Sequence, residues 1–202
     1  METISLRQKE ILEVAIKILA QEGIQNLTIK NISKSIGFTE AALYRHYDSK
    51  HKILFGILDL FEDISTMPEF NTSKNLTSID KLNLFILDRY KKFTNNPDIA
   101  KTIFSEAIFI NDTELSSKIR NIMRGNKKIV EKIIISGQKK GEINNELDAI
   151  SIFRTITGSM RLLVTQWCYN DYSFDLQKEG IKLWDNIKLM ISSHGDTETQ
   201  RK

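Results

Sequence analysis

Residues 27–50 read LTIKNISKSIGFTEAALYRHYDSK, two short helical patterns on either side of a single glycine. Thr28 stands where it caps the first helix, and Leu27 just before it is spaced to staple onto Ile32. Ile29, Ile32 and Ile36 then fall on one face at helical spacing. Gly37 ends that helix, because glycine tolerates the left-handed conformation that commonly follows a helix C-terminus. Thr39 caps the second helix, and Phe38 with Leu43 repeats the staple spacing. Leu43 and Tyr47, four apart, point inward. A short capped helix held on a partner by a tight glycine turn predicts a helix-turn-helix.

The chemistry of the outward face points to a nucleic-acid groove. Ala41 and Ala42 are small enough to admit a close backbone, and Tyr44, Arg45 and His46 are three consecutive hydrogen-bonding side chains. Arginine reads guanine in the major groove, alanine touches a thymine methyl, and Glu40 can accept from a cytosine amine. Arg45, Ala41 and His46 are the candidates for base edges, and Tyr44, Thr28 and Lys50 for the phosphate backbone. Tyr47 is expected to pack inside. Asp48-Ser49-Lys50-His51-Lys52 is a cap followed at once by basic residues, which the helix dipole disfavours there. A phosphate docking at that helix start accounts for them.

From Arg7 to Leu54 the chain resembles the DNA-binding domain of TetR-family transcriptional regulators. The matching frame is Ile11-Leu12, Ala15, Leu19, Gly23, Thr28, Ile32, Gly37, Thr39, Leu43-Tyr44, His46-Tyr47, Lys50 and Leu54. A frame of about fourteen residue types at fixed spacing is far more specific than a bare helix-turn-helix. Ser33 and Ile36 depart from the small alanines usual there, and Phe38 from the common valine; these bear on packing. The resemblance implies a homodimer that represses by occupying a palindromic operator in double-stranded DNA and is released by a small effector. Thr39, Glu40 and Ala42 complete the expected DNA-facing set.

Composition narrows the rest. The chain of 202 residues is long enough for one large or two small domains, and 41% hydrophobic with 27% charged residues is ordinary for a globular protein. A net charge of +3 permits nucleic-acid binding without arguing for it, so that case rests on the local face. The single Cys168 excludes an internal disulfide and argues against a zinc module. The chain opens Met1-Glu2-Thr3 straight into an amphipathic pattern, and no apolar run approaches the ~20 residues of a membrane span. A cytoplasmic protein with no membrane role is expected. No phosphate-binding glycine motif or H-E-x-x-H pair is present, so neither catalysis, metal nor cofactor is expected.

In chain order, Ser5 with Gln8 has capping-box spacing for a helix from Leu6 to Glu22 with Ile11, Leu12, Ala15, Ile18 and Leu19 as its face. A fourth helix starts near Ser49, apolar over more than half its circumference. Met67 to Asn75 form a loop around Pro68. Further helices run from Ser78 to Asn95, from Pro97 through FSEAIFI, from Thr113 to Lys140 where Gly141 closes, from Asp148 to Asn170, and from Asp175 to Ser193. His194 to Lys202 form a polar tail expected to fray. The expectation is an all-α chain of about nine helices: residues 1–52 a three-helix helix-turn-helix domain, residues 53–202 an effector-binding and dimerisation domain. The boundary falls within the fourth helix.

For an effector, aromatic and polar residues at helical spacing give the candidates Phe85, Tyr90, Phe104, Met123, Phe153, Arg154, Thr157, Met160, Arg161 and Trp167. A few polar groups among aromatics suit a small apolar or amphipathic molecule, though the same pattern describes plain core. Leu176, Gly180, Leu183, Trp184, Ile187 and Ile191 make one stripe on the last helix. Gly180 there suggests a backbone passing close, and the stripe is the candidate dimer interface; packing within one subunit is the alternative. A ligand-independent helical DNA-binding factor, or a helical protein-interaction module with a basic face, are the competing functions.

Overall fold

The computed structural model describes residues 4–68, 75–105 and 107–193. Residues 69–74 of the expected loop and the expected frayed tail from His194 lie outside them. The elements are α1 (Leu6–Glu22), a 3-10 turn (Ile24–Asn26), α2 (Ile29–Ile36), α3 (Glu40–Tyr44), α4 (Lys50–Ile64), α5 (Ser78–Asn95), α6 (Pro97–Phe104), α7 (Ala107–Ile110), α8 (Thr113–Lys139), α9 (Ala149–Tyr169) and α10 (Leu176–Ile191). The all-α expectation holds. The extra helix arises because Ser105 leaves the helical region (φ −83°, ψ 82°) and divides α6 from α7.

The caps explain where the first helices begin. Ser5 and Gln8 form the reciprocal capping box. Thr28, Thr39 and Ser49 each accept the backbone N–H three residues on, from Asn31, Ala42 and Lys52. Gly37 closes α2 in the left-handed region, φ 78° and ψ 27°.

The chain packs into two compact units, one of residues up to Ser65 with Asn96–Ile122, the other of Thr66–Asn95 with the chain from Met123. In the first, α1 packs on α2, on α4 and on α6. Packing against three helices explains why α1 buries Ile16 and Ala20 beyond the expected face. Leu27, Ile32 and Leu43 are fully buried, each contributing about 1.5–3 kcal/mol of apolar transfer. The whole of α4, as far as Ser65, groups with these helices, with Ile53, Leu54, Ile57 and Leu58 buried.

In the second unit α10 lies against α5 and α9. Leu82, Phe85, Ile86, Tyr90 and Phe93 of α5 meet Leu176, Trp184, Ile187 and Ile191 of α10 in its core. The end of α10 is pinned by Asn144 N–H donating to Ile191 O at 2.8 Å, beside an antiparallel bridge between Ile143 and Ser192. Helix α8 is continuous from Thr113 to Lys139, so its first turns belong to one unit and its remainder to the other.

Candidate nucleic-acid interface

Because α2 is capped, closed by Gly37 and anchored through Ile32, it leaves α3 little freedom over which side faces out. Leu43 is fully buried, so the opposite side of the turn is exposed: Thr39, Glu40, Ala41, Tyr44 and Arg45 all face solvent, with Tyr44 47% exposed. Ala42 and His46 are half-buried. Thr28 is also exposed, at the start of α2.

Helix α3 is shorter than the expected recognition helix. It ends at Tyr44, and His46 N–H turns back to Leu43 O at 2.9 Å while Tyr47 N–H also reaches Leu43 O at 3.1 Å. Arg45 and His46 therefore sit in the closing turn rather than on the helix proper. Gln8 of α1 donates through Nε2 to the His46 carbonyl at 3.4 Å and ties down that turn. Tyr47 packs inward as expected, its hydroxyl close to Gly56 of α4. Burial, with help from Asp59, pushes the phenol up to about 12, so it stays protonated.

Lys50 is half-buried, and its Nζ donates to the Ile24 carbonyl at 3.1 Å. Burial holds its pKa below the usual lysine value. One of its three donors thus joins α4 to the turn after α1, leaving two for a phosphate. The next residue faces the other way: His51 Nε2 lies 3.2 Å from Asp112 Oδ2 at the start of α8 and 3.7 Å from Glu114. Lys118 of α8 pairs with Asp59 and, at 2.9 Å, with Glu62 of α4. Phe55 lies between these two clusters, 5.5 Å from the His51 ring and 5.9 Å from Lys118 Nζ. Sequence spacing within α4 gives no sign of these pairs, because the partners lie some sixty residues on.

The effector candidates do not converge on one site. Phe85, Tyr90, Met160 and Trp167 are buried core, Phe153, Thr157 and Arg161 half-buried, Arg154 exposed and Met123 54% exposed. Phe104 belongs to the other compact unit. Thr157 spends its hydroxyl on the Phe153 carbonyl at 2.8 Å. None of the ten lines either of two surface hollows in the second unit. One, about 360 Å³, lies between α9 and α10 against Leu162, Leu163, Gln166, Lys182 and Leu183; the other, about 260 Å³, lies between α5 and α8.

The expected dimer stripe is mostly used within the subunit. Leu176, Gly180, Trp184, Ile187 and Ile191 are buried, with only Leu183 half-exposed. A Cβ at Gly180 would stand 2.3 Å from the Tyr90 ring, so the close neighbour is a side chain of the same chain. Leu162, Tyr169, Ile181, Leu189 and Met190 on the other faces of α9 and α10 are exposed.

Sequence reasoning missed Arg89. It is only 3% exposed, with its guanidinium 5.1 Å from the Phe85 ring and Nη2 donating to Asn126 Oδ1 at 3.4 Å. Burial lowers its pKa to about 10, opposed by Asp88. Its position gave the clue: it falls on the same helical face as Leu82, Phe85, Ile86 and Phe93. Among the described residues no cluster of potential ligands could hold a metal ion, and no helix is long and apolar enough to cross a membrane.

The arrangement has counterparts among known proteins. A family model described as "Bacterial regulatory proteins, tetR family" matches residues 11–57, and one described as "YsiA-like protein, C-terminal region" matches residues 58–192. The fatty acid metabolism regulator protein of Bacillus subtilis (strain 168) is 26% identical over 169 residues, spanning 83% of this chain and 86% of that protein. The probable acrEF/envCD operon repressor of Escherichia coli (strain K12) is 24% identical over 198 residues, 94% of this chain and 88% of that one. Among solved structures, the fatty acid degradation regulator FadR from Bacillus halodurans superposes with a TM-score of 0.76 at 19% identity, over 92% of this chain and 96% of that one. FadR from Bacillus subtilis in complex with stearoyl-CoA gives 0.70 at 24% identity, over 89% and 96%. At those identities the structural likeness establishes the shared fold.

Proposed function

The chain belongs to the TetR family of bacterial regulatory proteins, which are DNA-binding transcriptional regulators, and from that premise we propose a homodimeric repressor that leaves a palindromic operator when a fatty acyl-coenzyme A thioester binds its C-terminal helices. The observation that carries the DNA half is the α2–α3 unit: hydroxyl caps, a left-handed glycine turn and one buried anchor leave Tyr44, Arg45, Ala41 and Glu40 facing outward together. Arg45 and His46 reach base edges from the closing turn, Ala41 and Ala42 allow close approach, and Thr28, Thr39, Tyr44 and Lys50 meet phosphates. In a dimer, two such units spaced about 34–36 Å apart meet successive major grooves. The exposed Leu162, Leu189 and Met190 of α9 and α10 supply the contact between copies. A monomer at micromolar concentration in sedimentation would remove that part. The protein acts in the cytoplasm as a regulator and not as an enzyme.

The effector half is supported by the relatives. The stearoyl-CoA complex of Bacillus subtilis FadR supplies the ligand class, and the similarity to a fatty acid metabolism regulator protein fits it. For such a ligand to release DNA it must bind the non-binding conformation more tightly, and DNA must weaken the ligand by the same factor. A hundredfold loss of operator affinity corresponds to ~2.7 kcal/mol of coupling. The test is a titration of Trp167 and Trp184 fluorescence with stearoyl-CoA, with and without an operator selected from bound DNA fragments. Weaker ligand binding in the presence of operator is expected. Equal affinity in both conditions removes the induction mechanism and leaves the DNA-binding assignment standing.

A further inference from the structure

The second half of α8 carries a strongly basic face. Between Met123 and Lys140 stand Arg124, Lys127, Lys128, Lys132, Lys139 and Lys140 against the single Glu131, whereas the whole chain carries only +3. Arg124, Lys128 and Lys132 recur every four residues, so they share one stripe, and all three are exposed. Like charges at this spacing repel, and among the described residues none of the three is paired with a carboxylate. The exposed Ile129 and Ile135 interrupt the basic face with apolar surface.

The hollow of about 260 Å³ between α5 and α8 opens beside this stripe. Lys81 and Lys132 stand at it, Ile129 and Ile133 line it, and Ser78 and Ser136 add hydroxyls. Glu142 approaches at the Ser78 end, accepting the Ser78 N–H at 2.6 Å, which leaves Lys132 as the less compensated cation. The space suits one phosphate or a ribose phosphate, but not a whole nucleotide together with its linker. Further phosphates of the same molecule would fall on Lys128 and Arg124 along the stripe.

We propose that this basic stripe and hollow receive the phosphates of the effector's head group, with the apolar tail going elsewhere in the same unit. The assignment rests on the acyl-coenzyme A reading and adds to it the residues that recognise the head: Arg124, Lys128 and Lys132, with Lys81 at the hollow. The chemistry is complementary, since such a head carries several phosphate charges and the stripe offers several cations, none of Arg124, Lys128 and Lys132 paired with a carboxylate among the described residues. Free fatty acid, which lacks phosphates, gains nothing from it.

The experiment compares the full-length protein with its Lys128→Gln, Lys132→Gln double variant, whose substitutions are on the solvent side of α8. Stearoyl-CoA, stearate and an operator duplex are titrated at two salt concentrations. Loss of two charged contacts should weaken stearoyl-CoA by about tenfold or more and flatten its salt dependence. Stearate binding and operator affinity should change less than about twofold. Undiminished stearoyl-CoA affinity in the variant overturns the head-group site while the acyl-coenzyme A function stands. A parallel loss of operator affinity also overturns it, assigning the stripe to DNA. Failure of the unaltered protein to bind stearoyl-CoA overturns both the site and the effector class.

Discussion

Gly37 and Gly180 show how differently the two ends of this chain are built. Gly37 lies at φ 78°, and a Cβ there would meet nothing within 4 Å. Gly180 has ordinary helical backbone, and a Cβ there would stand 2.3 Å from the Tyr90 ring. The first glycine is required by its own dihedral angle, the second by a side chain ninety residues earlier in the chain. The helix-turn-helix is thus specified locally, with caps and turn residues within one turn of what they fix. Helices α9 and α10 have apolar residues on more than one face, and their packing is specified by distant partners.

The largest expected effect is at Gly180. Alanine is favoured over glycine inside a helix by ~1 kcal/mol, yet Gly180→Ala should lower stability by ~1–3 kcal/mol because the Tyr90 ring must move. Urea unfolding measures this, and a stabilised variant would show that Tyr90 does not hold that position. Gly37→Ala should cost slightly less, ~1–2 kcal/mol, all of it from the left-handed backbone. Asparagine separates the two causes. It tolerates the left-handed region, so Gly37→Asn should be milder than Gly37→Ala, whereas the bulkier Gly180→Asn should be worse than Gly180→Ala. The same order at both sites would erase the distinction.

The smallest effect distinguishes the caps by pH. Helices α1 to α4 begin on hydroxyls: Ser5, Thr28, Thr39 and Ser49. Helices α8 and α9 begin on carboxylates: Asp112 accepts from Leu115 N–H at 2.9 Å, and Asp148 from Ser151 N–H at 2.8 Å. Those backbone bonds hold both pKa values below the usual aspartate value, and the Thr77 hydroxyl and N–H do the same for Asp80. A carboxylate with a depressed folded pKa contributes stability that is present above its unfolded value, about 3.9, and is lost as pH falls through the folded one. Acidification below about pH 4 should therefore lower the urea midpoint, and Asp148→Asn, which still accepts the hydrogen bond but does not titrate, should reduce that fall. A midpoint equally acid-sensitive in the variant would exclude Asp148 as a contributor.

Much of the fold was legible in the sequence because helix ends are decided within about four residues. The starts of α1, α2 and α4 and the left-handed Gly37 follow from Ser5, Thr28, Ser49 and a lone glycine. The outward set around Tyr44 and Arg45 was legible for the same reason: with Leu43 buried, one short turn has only one other side. The family frame was also sequence information, since it is a pattern of types and spacings.

What only the tertiary structure decided involves partners far along the chain. The pattern of α10 fits its stripe to a second copy or to packing within the chain, and the Tyr90 ring at Gly180 shows it packed against α5. Lys50 has the spacing of a free phosphate ligand, but a carbonyl at Ile24 already takes one of its donors. Arg89 has the composition of a surface residue and lies on a core face between Phe85 and Asn126. Period and propensity act over a single turn and so are written in adjacent residues. Which of two apolar faces is buried depends on the shape and charge of whatever packs there, and no local stretch of sequence contains that.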